Sequence, residues 1–67
     1  MPLVSGPNYY QDWNVLARRL AAAGAQQQKH VGRATIYYLK STGNWARVER
    51  RGSGYVLTVH STCDCGA

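Results

Sequence analysis

Tyr38, Lys40, Trp45 and Arg47 are the residues of this chain whose types and spacing best suit chemistry, and it is the chemistry of contact rather than of bond-making. Flat rings beside fixed cations suit nucleic acid. A base stacked on Trp or Tyr contributes about 1–3 kcal/mol, while Lys and Arg neutralise phosphates. Alternation of side chains along strands adds His60 to the set, and Arg50 and Arg51 carry the charge into a neighbouring turn. The same residues would serve an acidic protein surface, since Trp, Tyr and Arg are the usual anchors of protein contacts. A third use is a homodimer burying Ile36, Tyr38, Trp45 and Val56, because a one-layer domain leaves one sheet face uncovered.

Charge agrees with an acidic partner. The chain carries +5, and Lys29, Arg33, Lys40, Arg47, Arg50 and Arg51 against Glu49 place that excess within residues 29–51. The turn Arg50-Arg51-Gly52-Ser53-Gly54 could tip a two-stranded ribbon into a DNA groove. The plainer reading is a solvated turn with two charges, and it is preferred.

Other chemistry finds less support. His60, Cys63 and Cys65 are three zinc-type ligands, a weak metal site because structural zinc ordinarily takes two Cys/His pairs. Cys63 and Cys65 are too close for an unstrained disulfide, and no other cysteine exists to staple the core, so a reducing compartment is expected. The three carboxylates, Asp12, Glu49 and Asp64, fall in separate elements, leaving no acid/base pair. His30 and His60 read as solvent-facing imidazoles on a basic surface. The chain is therefore expected to be a binding protein, not an enzyme, without cofactor. It has no apolar run long enough to span a membrane and no signal-peptide start, so no membrane partner and a cytoplasmic location are expected.

The elements that must position these residues follow from pattern. Sixty-seven residues make a single domain, 1–67, with 1–7 and 61–67 expected as flexible tails. Asn8 is a good N-cap with Gln11 three residues on, and Tyr9, Trp13, Leu16, Ala17, Leu20 and Gly24 make one helical stripe, so a helix is expected over 8–26. Residues 34–40, 45–50 and 55–60 are β-branched and aromatic, separated by turn-forming residues. The expected fold is α+β: one N-terminal amphipathic helix packed on a three-stranded antiparallel meander, α-β-β-β.

Loops with even residue counts set Lys40 opposite Trp45 and Arg50 opposite Tyr55. Tyr37, Leu39, Ala46, Val48, Leu57 and Val59 then gather beneath the helix. Ile36, Tyr38, Lys40, Trp45, Arg47, Glu49, Val56, Thr58 and His60 gather on the open face.

A helix followed by three strands is similar in topology to the double-stranded-RNA-binding domain and to HicA-type ribonuclease toxins. The toxin's Gly-Ser/Thr-His signature is absent, Lys29-His30-Val31-Gly32 standing in its place, and only seven residues follow His60 where both families have a closing helix. No second helix is available for a helix-turn-helix. The leading expectation is a small basic nucleic-acid-binding accessory protein acting through its open sheet face. A phage- or plasmid-type modulator of a host protein comes second, and a ribonuclease toxin using His30 or His60 a distant third.

Overall fold

The computed structural model describes residues 3–62. Its elements run β1 (Leu3–Tyr10), α1 (Trp13–Ala22), β2 (Ala25–Val31), β3 (Ala34–Leu39), β4 (Asn44–Arg51) and β5 (Gly54–His60). The strands form one antiparallel sheet in the order β1-β5-β4-β3-β2. The expected α-β-β-β fold is thus corrected: the sheet has five strands rather than three, and a strand precedes the helix. The topological similarity to the double-stranded-RNA-binding domain and the HicA-type toxins falls with it.

The helix is shorter than 8–26 because its cap lies further along. Asp12, not Asn8, is the N-cap: its backbone is extended (φ −102°, ψ 117°), and its carboxylate accepts a hydrogen bond from the Asn14 N–H at 2.9 Å. Gly24, at φ +68°, then takes the chain out of the helix in the left-handed conformation common just past a helix end.

Residues 3–10 pair with β5 instead of forming a tail and a first helical turn. Proline belongs on an edge strand, where a missing N–H leaves no ladder bond broken, and β1 is such an edge. Its register shifts on both sides of Ser5, and Gly6 takes φ +92°. A Cβ on Gly6 would stand 2.6 Å from the Leu57 carbonyl oxygen, so only glycine lets the two backbones approach there.

The opposite edge, β2, is the segment AQQQKHV, in which only the end residues Ala25 and Val31 are partly buried. A bulge between Gln27 and Lys29 breaks its pairing with β3. The β2–β3 hairpin closes on Gly32-Arg33 and the β4–β5 hairpin on Gly52-Ser53, each with a positive-φ glycine first (φ +60° and +58°).

The β3–β4 register differs by two residues from the expected one. Tyr38, not Lys40, lies opposite Trp45, and the four-residue turn from Lys40 to Gly43 is closed by Gly43 N–H to Leu39 O at 2.8 Å. A slip of two keeps every side chain on its face. Leu39, Ala46, Val48, Leu57 and Val59 therefore do form the core beneath α1, joined by Leu16 and Leu20 with Tyr37 packed at the margin. Each leucine so buried contributes about 1.5–3 kcal/mol. Ile36 faces the other way and is nonetheless fully buried; its cross-strand neighbours are Lys29 and Arg47, whose aliphatic stems suit covering it.

Candidate functional site

Ten helical residues rise about 1.5 Å each, giving α1 about 15 Å of length and 10 Å of width. Five strands about 4.8 Å apart make a sheet about 19 Å across. One helix cannot cover it. The helix begins with Trp13 against Tyr55 of β5, ring centroids 5.1 Å apart. It ends on the β3–β4 turn, where Lys40 N–H reaches Gly24 O (3.3 Å) and Ser41 N–H reaches Ala23 O (3.1 Å). This crossing leaves hollows on the helix side of the sheet.

The first is a cleft of about 450 Å³ between Trp13 and the β2–β3 turn. Its rings are Trp13, Tyr37 and Tyr55; its cations are Arg33 and Arg50; His30 and Thr35 complete the far wall. Arg33 enters from the hairpin turn, and Arg50 from the adjacent β4, whose N–H donates to the Arg33 carbonyl at 3.4 Å. Both arginines are exposed, and they flank a further hollow of about 320 Å³ beside Gly52. Among the described residues no carboxylate lines either space.

The exposed His30 ring sits between two side chains, its Nε2 2.9 Å from Gln27 Nε2 and its Nδ1 3.0 Å from Thr35 Oγ1. Tyr37 is held neutral to higher pH than an ordinary phenol, because burial disfavours its ionised form. The cleft thus combines neutral aromatic surface with positive charge that no carboxylate among the described lining residues balances. That pairing suits a ligand that is both flat and anionic.

The second hollow, about 290 Å³, is mostly apolar, lined by Val4, Leu20, Ala46, Leu57 and Val59 with Arg19 alongside. Arg19 is occupied: its Nη1–H donates to Tyr10 Oη, and its guanidinium lies 5.9 Å from the Tyr10 ring centroid.

The outer face keeps part of the set read from sequence. Tyr38 and Trp45 meet at 5.0 Å between centroids, His60 lies opposite Trp45, and Arg47 is one pair further along. The charge there is partly cancelled, since Glu49 takes Arg51 Nε at 2.8 Å and Arg47 Nη2 at 3.9 Å. Lys40 is not beside Trp45 but in the turn beyond it, and Arg50 points to the helix side.

Sequence reasoning missed Trp13, Tyr37, Tyr55, Arg33 and His30 as a group. The available signal was Gly32-Arg33 as a two-residue hairpin turn, which would have set His30 opposite Thr35 on the face of Tyr37.

For the weak metal site, Cys63 and Cys65 lie outside the described residues; among the described residues no three of His, Cys, Asp and Glu cluster. No helix among them is long and apolar enough to cross a membrane. No family model, curated protein or solved structure matches this chain.

Proposed function

We propose that this chain binds single-stranded nucleic acid and that the cleft between Trp13 and the β2–β3 turn is its principal contact. One observation carries the reading: three aromatic rings and two arginines share an open cleft with no carboxylate among its described lining residues. Rings supply stacking surface for any base, and arginines supply phosphate contacts, the two components of single-strand recognition. A duplex offers its bases only edge-on, and a concave cleft lined by ring surfaces matches an unpaired base better. The outer face, where Glu49 already engages two arginines, is the poorer polyanion surface and contributes at most an accessory contact through Tyr38 and Trp45.

The test is a tryptophan-fluorescence titration of the intact chain with single- and double-stranded oligonucleotides at two salt concentrations. The expected outcome is quenching by single strands, with an affinity that falls steeply with salt. Trp13→Ala should weaken binding about 5- to 150-fold, the equivalent of about 1–3 kcal/mol of stacking, and Trp45→Ala much less. Absence of single-strand binding at low salt would remove the reading.

A further inference from the structure

We infer, on the basis of the nucleic-acid reading above, that the cleft is an end site: it takes the terminal nucleotide of a strand, with the base against Trp13 and Tyr55 and a terminal phosphomonoester between Arg33 and Arg50.

Charge count carries the first step. Arg33, in the β2–β3 turn, and Arg50, on β4, are neighbours tied by the Arg50 N–H to Arg33 O hydrogen bond, and no described carboxylate lines either hollow they share. Like charges held side by side repel one another. On the outer face, by contrast, Arg47 and Arg51 share Glu49. The Arg33–Arg50 pair leaves two positive charges for a ligand to balance. A phosphodiester within a strand brings one negative charge, whereas a phosphomonoester brings about 1.5 to 2 at neutral pH. The doubly charged end is the better match, and each guanidinium can hold two of its oxygens.

Space carries the second step. Gly52 sits beside the two arginines with open space where a Cβ would be, which leaves room for a phosphate group. The cleft of about 450 Å³ falls in the range of small-ligand sites, about 300–1,000 Å³, and so has room for a nucleotide. Beside Arg33 in the same hairpin, Thr35 and the His30 ring, which lies 2.9 Å from Gln27 Nε2, give polar groups for the edge of a base.

The experiment compares matched oligonucleotides that differ only in their ends: 5′-phosphate, 3′-phosphate, or hydroxyl at both. Each is titrated into a Trp45→Phe chain, so that Trp13 alone reports, with a nucleoside monophosphate and inorganic phosphate as competitors. One phosphorylated end should bind at least tenfold more tightly than the hydroxyl-ended strand, and the nucleoside monophosphate should displace it where inorganic phosphate at equal concentration does not. Arg33→Gln and Arg50→Gln should each weaken both kinds of strand and abolish the preference between them. Equal affinity for phosphorylated and hydroxyl ends would overturn the end site while leaving single-strand binding in place. Equal displacement by inorganic phosphate would reduce the cleft to a simple anion site and overturn the proposal as well. Failure of every strand to bind would remove both readings together.

Discussion

The indole of Trp13 meets the Tyr55 ring at 5.1 Å between centroids and a tilt of 55°, joining the first residue of α1 to the second residue of β5. Trp13 stays 41% exposed in that contact, so the pair forms one wall of an open cleft rather than part of the core. The apolar work of the helix falls to Leu16 and Leu20 instead. Holding the helix on the sheet and presenting a ring to ligand are therefore separable functions of different side chains.

Leu16 is fully buried and sits at the centre of the helix–sheet contact. Leu16→Ala should destabilise the fold by about 2–5 kcal/mol, read as a lower urea midpoint. For a domain this small that loss is a large share of total stability. A change under about 1 kcal/mol would mean that α1 is not what seals the core.

Gly6→Ala tests the β1 pairing. The new Cβ would meet the Leu57 carbonyl oxygen at 2.6 Å on a residue at φ +92°. Backbone strain of this kind costs on the order of 1–3 kcal/mol before the contact is counted. Thermal unfolding should shift downward accordingly. Gly32→Ala, at φ +60° with nothing within 4 Å of the new Cβ, should cost less because it carries the strain without the collision.

Glu49→Gln addresses the outer face. The ion pairs with Arg47 and Arg51 are partly exposed, so their loss should cost about 1 kcal/mol or less. Removing the carboxylate also raises the net positive charge of that face. Low-salt binding to oligonucleotides of any sequence should strengthen a few-fold, and the gain should vanish at high salt. An unchanged affinity would show that the outer face never approaches the polyanion.

Tyr37 predicts an alkaline limit to stability. An unfolded phenol ionises near pH 10, whereas burial raises the folded value above it. Below pH 10 both states are neutral and the full contribution is present. As pH rises past 10, the unfolded state releases its proton first, and stability falls until the folded phenol also ionises. The urea midpoint should drop more steeply between about pH 9 and 11 in the parent chain than in Tyr37→Phe. Parallel curves would contradict this.

Much of the meander was legible in the sequence because alternation is a strong signal where one face is buried. Leu39, Ala46, Val48, Leu57 and Val59 sort onto the helix side under the expected parity and are found there. The two-residue slip that replaced Lys40 by Tyr38 opposite Trp45 was not legible, since alternation constrains odd shifts and not even ones. Both edge strands were hidden for physical reasons. In β1, Gly6-Pro7 reads as a break, and an edge strand absorbs it with shifted register. In β2, glutamines 26 to 28 show no two-residue period because almost nothing in that strand is buried.

The site was only half legible. Tyr38, Trp45, Arg47 and His60 were grouped because they lie in strands that the pattern finds. Trp13 falls in the apolar stripe of the helix expected over 8–26, whereas in the structure it is the first residue of α1 and lines the cleft. The hairpin at Gly32-Arg33, which needs β2 to exist, then brings Arg33 alongside Arg50.

The most direct measurement is chemical-shift mapping of the isotopically labelled chain with a short single-stranded oligonucleotide at low salt. The perturbations should concentrate on the indole N–H of Trp13, the Nε–H of Arg33 and Arg50, and the amides of Thr35, Tyr37 and Tyr55, all around the cleft. Perturbations centred on Tyr38, Trp45 and Arg47, with Trp13 and Arg33 silent, would contradict the account by moving the contact to the opposite face of the sheet.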